Sequence, residues 1–282
     1  MVVFCDPTGP EGLVGSDFVA VINALVGQDY ESLQYLFFLV GPDDEVRHAY
    51  ESHIAQHLPL AAVRKVEGNP GYGPTQNAAA RLVEGDNGLF LFLHDDVCLA
   101  SNAVSELVTE LSRSNAAVVG PKLVQWDDPS LLQHVGMGVD RCGEIDPIVL
   151  PGEKDQQQHD AVADVFCLPS ACLLVRSDLF RTLGGFHPGI TFGGEEMDLC
   201  WRVHLTGGRV VVVPSAVARH RENFTSRQPL IELTTMSETH RVATVLSCTS
   251  GARLLPVFFQ MLGLSLLELP IAIATGKWKQ GV

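Results

Sequence analysis

The chain has 282 residues, 46% of them hydrophobic, and a formal charge of −14. That length buries a sizeable core in one large domain or in a domain with an appendage. The acidic balance argues against a nucleic-acid partner, because a phosphate-backbone binder needs a basic surface; an anionic substrate would need local help from a metal ion or from helix N-termini.

The seven cysteines are scattered, odd in number and without a CxxC pair, so neither a disulfide framework nor a zinc site is indicated. The first residues, MVVFCDPTG, lack the basic flank and long apolar run of a signal peptide, which leads to the expectation of a cytoplasmic domain. Residues 2–5 read as a strand emptying into a Pro/Gly loop. Ser16 or Asp17 would cap a helix with Phe18, Val21, Ile22 and Leu25 on one face. Residues 35–40 form a wholly apolar strand, followed by an amphipathic helix to about residue 58 and a further strand over 61–66. The glycine loop from Asn69 to Asn77 runs into a helix and presents backbone N–H groups at its start, a modest signal for a diphosphate. It matches neither GxGxxG nor GxxxxGK[ST], which speaks against a dinucleotide dehydrogenase or a P-loop enzyme.

Residues 89–93 form a strand that delivers His94, Asp95 and Asp96 at its end, Ser101 would cap the next helix, and 116–119 add another strand. Doubly apolar strands alternating with helices predict a mainly parallel sheet covered on both faces, which binds ligands beyond the strands' C-terminal ends. The stretch 122–163 is polar and predicts loops with a short β excursion. A strand over 165–175 and a short helix capped by Ser177 follow. Further on, the pattern gives a strand over 209–213, a segment 217–219 leading to His220, and a helix over 232–247. Residues 254–275 are almost wholly apolar, broken by Pro256, Gln260, Ser265, Glu268 and Pro270 and followed by Lys277, Trp278 and Lys279. Two readings stand: two short helices at a membrane interface, or a buried core helix.

The chemistry concentrates in two places. Two adjacent acids at a strand end are costly without a cation or donors, and magnesium or manganese accepts one or two carboxylates beside substrate phosphates. His220 would add a nitrogen ligand suited to manganese, although a lone histidine in ARHRE also reads as a surface residue. Residues 184–202, GGFHPGITFGGEEMDLCWR, turn from Gly193 and Gly194 into a helix opening on Glu195, Glu196 and Asp198. There Asp198 and Arg202 would pair at i,i+4, Leu199 and Val203 would face the core, and Glu196 would project from an exposed first turn. Acids at a helix start also serve simply as dipole partners.

Four stretches, NPGYGPTQNAA, LFLHDDV, CLPSACLLVRSDLFRTLGGF and FGGEEMDLCWRV with the strand ending in His220, resemble the family-2 glycosyltransferases over most of residues 2–220. The pattern looks like members that transfer rhamnose or galactofuranose, and like the catalytic domain of large actinobacterial membrane transferases. The resemblance implies a GT-A fold over residues 1–250 with an apolar, membrane-proximal helical segment over 251–282. It implies an inverting transfer from a nucleotide-diphospho-sugar to a glycan or lipid-linked acceptor, at the cytoplasmic face of the plasma membrane, in cell-wall or surface-polysaccharide synthesis. Asp96 and His220 would hold Mg2+ or Mn2+. Asp95 would lie near ribose and phosphate, with Pro7, Thr8, Asn69, Gly71, Gly73 and Asn77 along the nucleotide-sugar. Glu196 would be the base, Glu195 and Asp198 its acidic neighbours, and Trp201 and Arg202 would face the acceptor.

The sequence departs from the family pattern at three points: Glu196 stands where Asp is usual, His94 opens the DxD-like motif, and Val40–Gly41–Pro42 replaces an acid for the nucleotide base, with Asp43 or Asp44 as substitutes. A non-catalytic domain of the same fold and a sugar nucleotidyltransferase are the rival readings. The second would need a basic N-terminal loop, and DPTGPEG has no Lys or Arg.

Overall fold

The computed structural model describes residues 1–7, 13–41, 44–85, 88–223 and 230–274. Four short strands, the apolar β1 (Val2–Cys5), β2 (Leu36–Val40) and β4 (Leu89–His94) and the more polar edge strand β3 (Ala62–Val66), pair in parallel in the order β3-β2-β1-β4. Their side chains alternate between two cores. Val3, Cys5, Phe37, Leu39, Leu91 and Leu93 face one side, and Val2, Phe4, Phe38, Val40, Phe90 and Phe92 the other. This is the period-2 partition expected of strands covered on both faces.

The first face is covered by α1 (Ser16–Val26), α2 (Asp44–His57) and α4 (Ala103–Arg113), the second by α3 (Tyr72–Leu82), α5 (Ser177–Thr182) and α6 (Glu195–Leu205). The buried stripe of α1 is Phe18, Val21, Ile22 and Leu25, as its spacing predicts. Leu199 and Val203 of α6 are likewise fully buried. The helix starts differ from expectation. Gly15, Asn102 and Arg176 occupy the N-caps of α1, α4 and α5, none with a side-chain cap bond. The Ser177 hydroxyl instead accepts from the Gly88 N–H at 3.1 Å.

The sheet is mixed, not mainly parallel. Strand β11 (Cys172–Arg176) runs antiparallel between β4 and β6 (Val118–Gln125), and β12 (Val210–His220) lies parallel to β6. The short strands β5 (Val97–Leu99), β7 (Leu132–His134) and β10 (Ala163–Asp164) add antiparallel pairings at the edges. Strand direction leaves no trace in hydropathy, because an antiparallel strand buried on both faces is as apolar as a parallel one. The polar middle does contain a β excursion, the hairpin of β8 (Met137–Val139) and β9 (Ile145–Pro147). The segments at 209–213 and 217–219 join into the single strand β12, whose register shifts between Val213 and Val217.

Two further helices complete the described chain, α7 (Leu230–Cys248) and α8 (Gly251–Ala274). The expectation of apolar C-terminal helices is corrected here. In α7 His240, Thr244, Val245 and Cys248 are buried, while Glu238 and Arg241 pair at its surface. Helix α8 runs as one element through Pro256 and Pro270 instead of breaking into two. No helix among the described residues is long and apolar enough to cross a membrane. Leu255, Phe258, Phe259 and Leu262 of α8 are exposed, which removes them from any buried-core reading. Lys277, Trp278 and Lys279 lie outside the described residues.

The start of α3 is pressed against the segment before α6. Gly71 has φ +103°, and a Cβ there would stand 2.6 Å from the Thr191 carbonyl oxygen. The Tyr72 N–H donates to that same oxygen at 2.8 Å. Gly71→Ala is therefore expected to lower stability by about 2 kcal/mol or more, the combined cost of a left-handed non-glycine residue and a displaced loop, read from urea unfolding.

Candidate functional site

The C-terminal ends of β1, β4 and β12 meet at one edge. Phe4 pairs with His94, His220 pairs with Val97, and the tight turn Asp95–Asp96 between β4 and β5 lies between these contacts. This topology brings His94, Asp96 and His220 together. One donor atom from each lies within 4.8 Å of the others, the one such group of three found among the described residues. The Asp96 Oδ1 atom is 3.5 Å from His220 Nε2 and 3.9 Å from His94 Nδ1.

Asp96 is 3% exposed, and its Oδ1 has no hydrogen-bond partner; neither has His94 Nε2. The other oxygen, Oδ2, accepts the Asn223 N–H at 2.7 Å. Burial opposes the charge on Asp96, but the rings of His220 and His94 and the Asn223 N–H outweigh it and bring the carboxyl down to about 2. Burial holds His94 neutral, with its pKa lowered to about 4. His220 Nδ1 lies 3.0 Å from the Gln133 Oε1 and donates to it, which leaves Nε2 as the ring nitrogen turned toward Asp96. A buried carboxylate oxygen without a donor, flanked by two imidazoles, suits a divalent cation that accepts nitrogen and oxygen together. Asp96 and His220 were expected here. His94 was read only as a departure from an acidic motif, yet it sits two residues before Asp96 where the strand ends, which was the available signal.

The second chemical group is the start of α6. Its first turn is not exposed: Glu195 is 3% and Asp198 1% exposed, and Glu196 is partly buried. Burial and then the neighbouring Glu195 push the Glu196 carboxyl up to about 8; burial raises Glu195 as well. Asp198 is held differently, by Arg202 Nε at 2.9 Å. The same Arg202 donates to the carbonyls of Leu183 at 3.0 Å and Gly185 at 2.9 Å, so the pair fastens α6 to the preceding turn and Arg202 does not point to an open cleft. Trp201 packs edge-on against Phe166 at 5.3 Å.

A chain of contacts connects the two groups. The Tyr72 ring lies edge-on to His94 at 4.8 Å, its hydroxyl donates to the Ser170 carbonyl at 2.8 Å, and the Ser170 side chain favours the charged form of Glu195. Beside His220 a cavity of about 490 Å³ opens between Trp126, Gln133, His134, Val149 and Leu150.

The glycine loop is more occupied than its sequence suggests. The Gly71 N–H donates to Asn69 Oδ1 at 3.1 Å and the Tyr72 N–H to Thr191, so these two amides already have partners. Gly73 packs against Ile190 and Phe186. Asn77 is engaged at both ends of its amide, donating to the Phe186 carbonyl and accepting the Phe186 N–H, each at 2.8 Å. Asp95 Oδ2 accepts the Asp6 N–H at 2.9 Å, which ties the turn to the end of β1 next to Pro7. Thr8 lies outside the described residues, as do Pro42 and Asp43, while Asp44 opens α2 and pairs with Arg47.

The profile described as glycosyl transferase family 2 matches residues 16–184. That span contains His94 and Asp96 but neither the acid pair of α6 nor His220. Among curated proteins, the O-antigen biosynthesis protein RfbC of Myxococcus xanthus is 27% identical over 170 residues, 57% of this chain and 13% of RfbC. The pre-mycofactocin glycosyltransferase of Mycobacterium tuberculosis is 30% identical over 132 residues, 46% of this chain and 26% of that protein. The chain thus spans roughly a quarter or less of these relatives' lengths. Among solved structures, GalNAc-T7 with UDP, GalNAc and Mn2+ superposes with a TM-score of 0.62 at 14% identity, covering 84% of this chain and 47% of that one. S. aureus TarS superposes with a TM-score of 0.54 at 14% identity, covering 88% and 42%. At such identities the likeness concerns the fold.

If the buried triad holds a cation, Asp96→Ala should abolish Mn2+ binding in calorimetry. Asn77→Ala should leave Mn2+ binding unchanged while lowering stability by about 2 kcal/mol through the unpaired Phe186 backbone. Equal Mn2+ affinity in the parent and Asp96→Ala would remove the site.

Proposed function

The chain belongs to glycosyl transferase family 2, and we propose that it moves a sugar, with inversion, from a nucleotide-diphospho-sugar to a hydroxyl of a glycan or lipid-linked acceptor in surface-polysaccharide synthesis. The observation that carries this reading is the donor-less oxygen of buried Asp96, set between two histidines where β4 and β12 end. His94, Asp96 and His220 are the residues that would hold Mg2+ or Mn2+. Such a cation, when bound, neutralises charge developing on the departing diphosphate.

Glu196 is the proposed base. A direct displacement needs one proton removed from the acceptor hydroxyl as its oxygen forms the new bond to the anomeric carbon and the nucleoside diphosphate leaves with the old bonding pair. A carboxylate whose proton affinity has been raised toward neutrality accepts that proton more readily than an ordinary one. Glu195, protonated more easily than a surface acid, stays beside it and raises its proton affinity. Asp95, Pro7, Thr8, Asn69, Gly71 and Gly73 are proposed to line the nucleotide-sugar. Trp201 and Arg202 are kept on the acceptor side of α6 as the backing of that wall, and the cavity beside His220 offers room for a sugar ring.

Polysaccharide or lipid-linked acceptors are favoured by the likeness to a protein named for O-antigen biosynthesis and by the exposed apolar stripe of α8. That stripe supports a membrane-surface placement, and the cytoplasmic face is the side proposed here. Among the described residues the end of β2 supplies Val40, 1% exposed, and Gly41, which supports a nucleotide held through its diphosphate more than through its base. The occupied amides of the glycine loop favour a second reading, a domain of this fold that binds without turning over.

The deciding experiment measures nucleotide release from UDP-, dTDP- and GDP-sugars with Mn2+. Glu196→Gln should bind donor normally and lose about 10²–10⁴ in kcat. Near-normal turnover in that variant would remove Glu196 as base, and no turnover in the parent with any donor would favour the binding-only reading.

Because Glu196 works only when deprotonated and its carboxyl stands at about 8, kcat/KM should rise with pH up to about 8 and level off above it. A profile already flat from pH 6 would contradict this assignment. UDP, dTDP and GDP should compete within about tenfold of one another. A preference of several orders of magnitude for one base would show that a specific base contact exists.

A further inference from the structure

Helix α7 lies behind the turn that opens α6. A Cβ on Gly194 would come within 3.4 Å of the His240 Cβ, and one on Gly193 within 3.9 Å of the Ser237 Cβ. The His240 ring is buried, and its Nδ1 sits 3.0 Å from the Phe192 carbonyl oxygen and 2.9 Å from the Gly193 carbonyl oxygen. An atom between two carbonyl oxygens must be the protonated nitrogen, so Nδ1–H donates to both.

These two carbonyls are not arbitrary. The Phe192 carbonyl shares a planar peptide group with the Gly193 N–H, and the Gly193 carbonyl shares one with the Gly194 N–H. In a trans peptide the C=O and N–H point in opposite directions. The Gly193 N–H favours the charged form of Glu195 and the Gly194 N–H that of Glu196, each against the burial that raises these carboxyls. The imidazole therefore holds, from the carbonyl side, the same two peptide planes whose N–H groups act on Glu195 and Glu196. Gly193 and Gly194 have φ +74° and +96°, so the backbone here is free to rotate unless something fixes it.

We propose that His240 is a positioning residue for the acid pair: it holds the Phe192–Gly193–Gly194 peptides so that their N–H groups stay aimed at Glu195 and Glu196. The proposal rests on reading Glu196 as the base. A carbonyl that accepts a hydrogen bond polarises its own N–H into a stronger donor, so the contact works through bond strength as well as geometry. The N–H groups favour the charged carboxylates, against burial and mutual repulsion. The other titratable groups facing Glu196 are Tyr72 from α3, Cys167 from the segment before β11, and Cys200 from α6 itself, and none of them touches His240. The arrangement also places α7, and with it the C-terminal part of the chain, in mechanical contact with the catalytic turn.

The test uses the full chain, Mn2+ and the UDP-, dTDP- and GDP-sugar panel, with two readouts: the pH dependence of turnover and the titration of the Glu196 carboxyl by 13C NMR. His240→Asn keeps a donor where Nδ1 stood, His240→Gln moves it to the place of Nε2, and His240→Ala removes it. Ala and Gln should lower kcat by roughly tenfold or more with little change in donor KM, and should raise the Glu196 titration by about one pH unit. Asn should restore both toward the parent values. If Ala does not fold, the contrast between Gln and Asn carries the same decision. Identical Glu196 titration in the parent, Gln and Asn variants would overturn the proposal. Should Glu196→Gln retain turnover while the NMR shift in His240→Gln persists, the base assignment fails and the positioning stands. If Glu196→Gln is inactive and no shift appears, the positioning alone fails.

Discussion

The arrangement depends on one buried charge. Asp96 carries a carboxylate into a site that is almost closed to water, and one of its oxygens has no donor from the protein. Such a group is costly unless positive charge or hydrogen bonds balance it. The protein supplies part of that balance: an N–H from Asn223 and two imidazoles at 3.5 and 3.9 Å, one of them oriented by Gln133. What remains unbalanced is a negative potential aimed at one point on the sheet edge. Three strands are needed to create it, because His94 ends β4, Asp96 sits in the turn to β5, and His220 ends β12.

From that point outward, the site is held by packing more than by loops. Tyr72 stands between His94 and Phe186 and reaches the Ser170 carbonyl, so the start of α3 braces both the triad and the segment leading to β11. From the same segment, Ser170 favours the charged form of Glu195. The α6 acids are closed in by burial, which raises their proton affinity and separates their chemistry from that of Asp96, whose carboxyl is pulled the other way. Carboxylates with opposed environments divide into one that keeps its charge and one that exchanges protons. Asp198 belongs to neither kind, since Arg202 fixes it as part of the framework.

Much of this was legible where a single period or a local pairing decides the outcome. The α1 stripe, the buried Leu199 and Val203, and the Asp198–Arg202 pair follow from helical spacing alone. Asp96 and His220 could be named from residue type and position at strand ends. Features set by distant partners were not legible. The antiparallel β11 depends on chain reversal, which apolar runs do not encode. The serines expected as caps failed because the caps fell on Gly15, Asn102 and Arg176, and Ser177 answers to Gly88, 89 residues away. Asn77 looked like a phosphate-loop residue, but its amide matches the backbone of Phe186, 109 residues on. The role of His94 was hidden because a motif usually read as acidic places an imidazole there, and only β12 shows what that ring faces.

The central claim is that His94, Asp96 and His220 together hold one divalent cation. Pulsed EPR of the Mn2+-loaded protein, with histidine labelled by 15N, tests it most directly. The account predicts hyperfine coupling from two histidine nitrogens in the parent, reduced to one in His94→Ala and in His220→Ala. Bound Mn2+ with no histidine coupling, or with coupling unchanged in both variants, would contradict it.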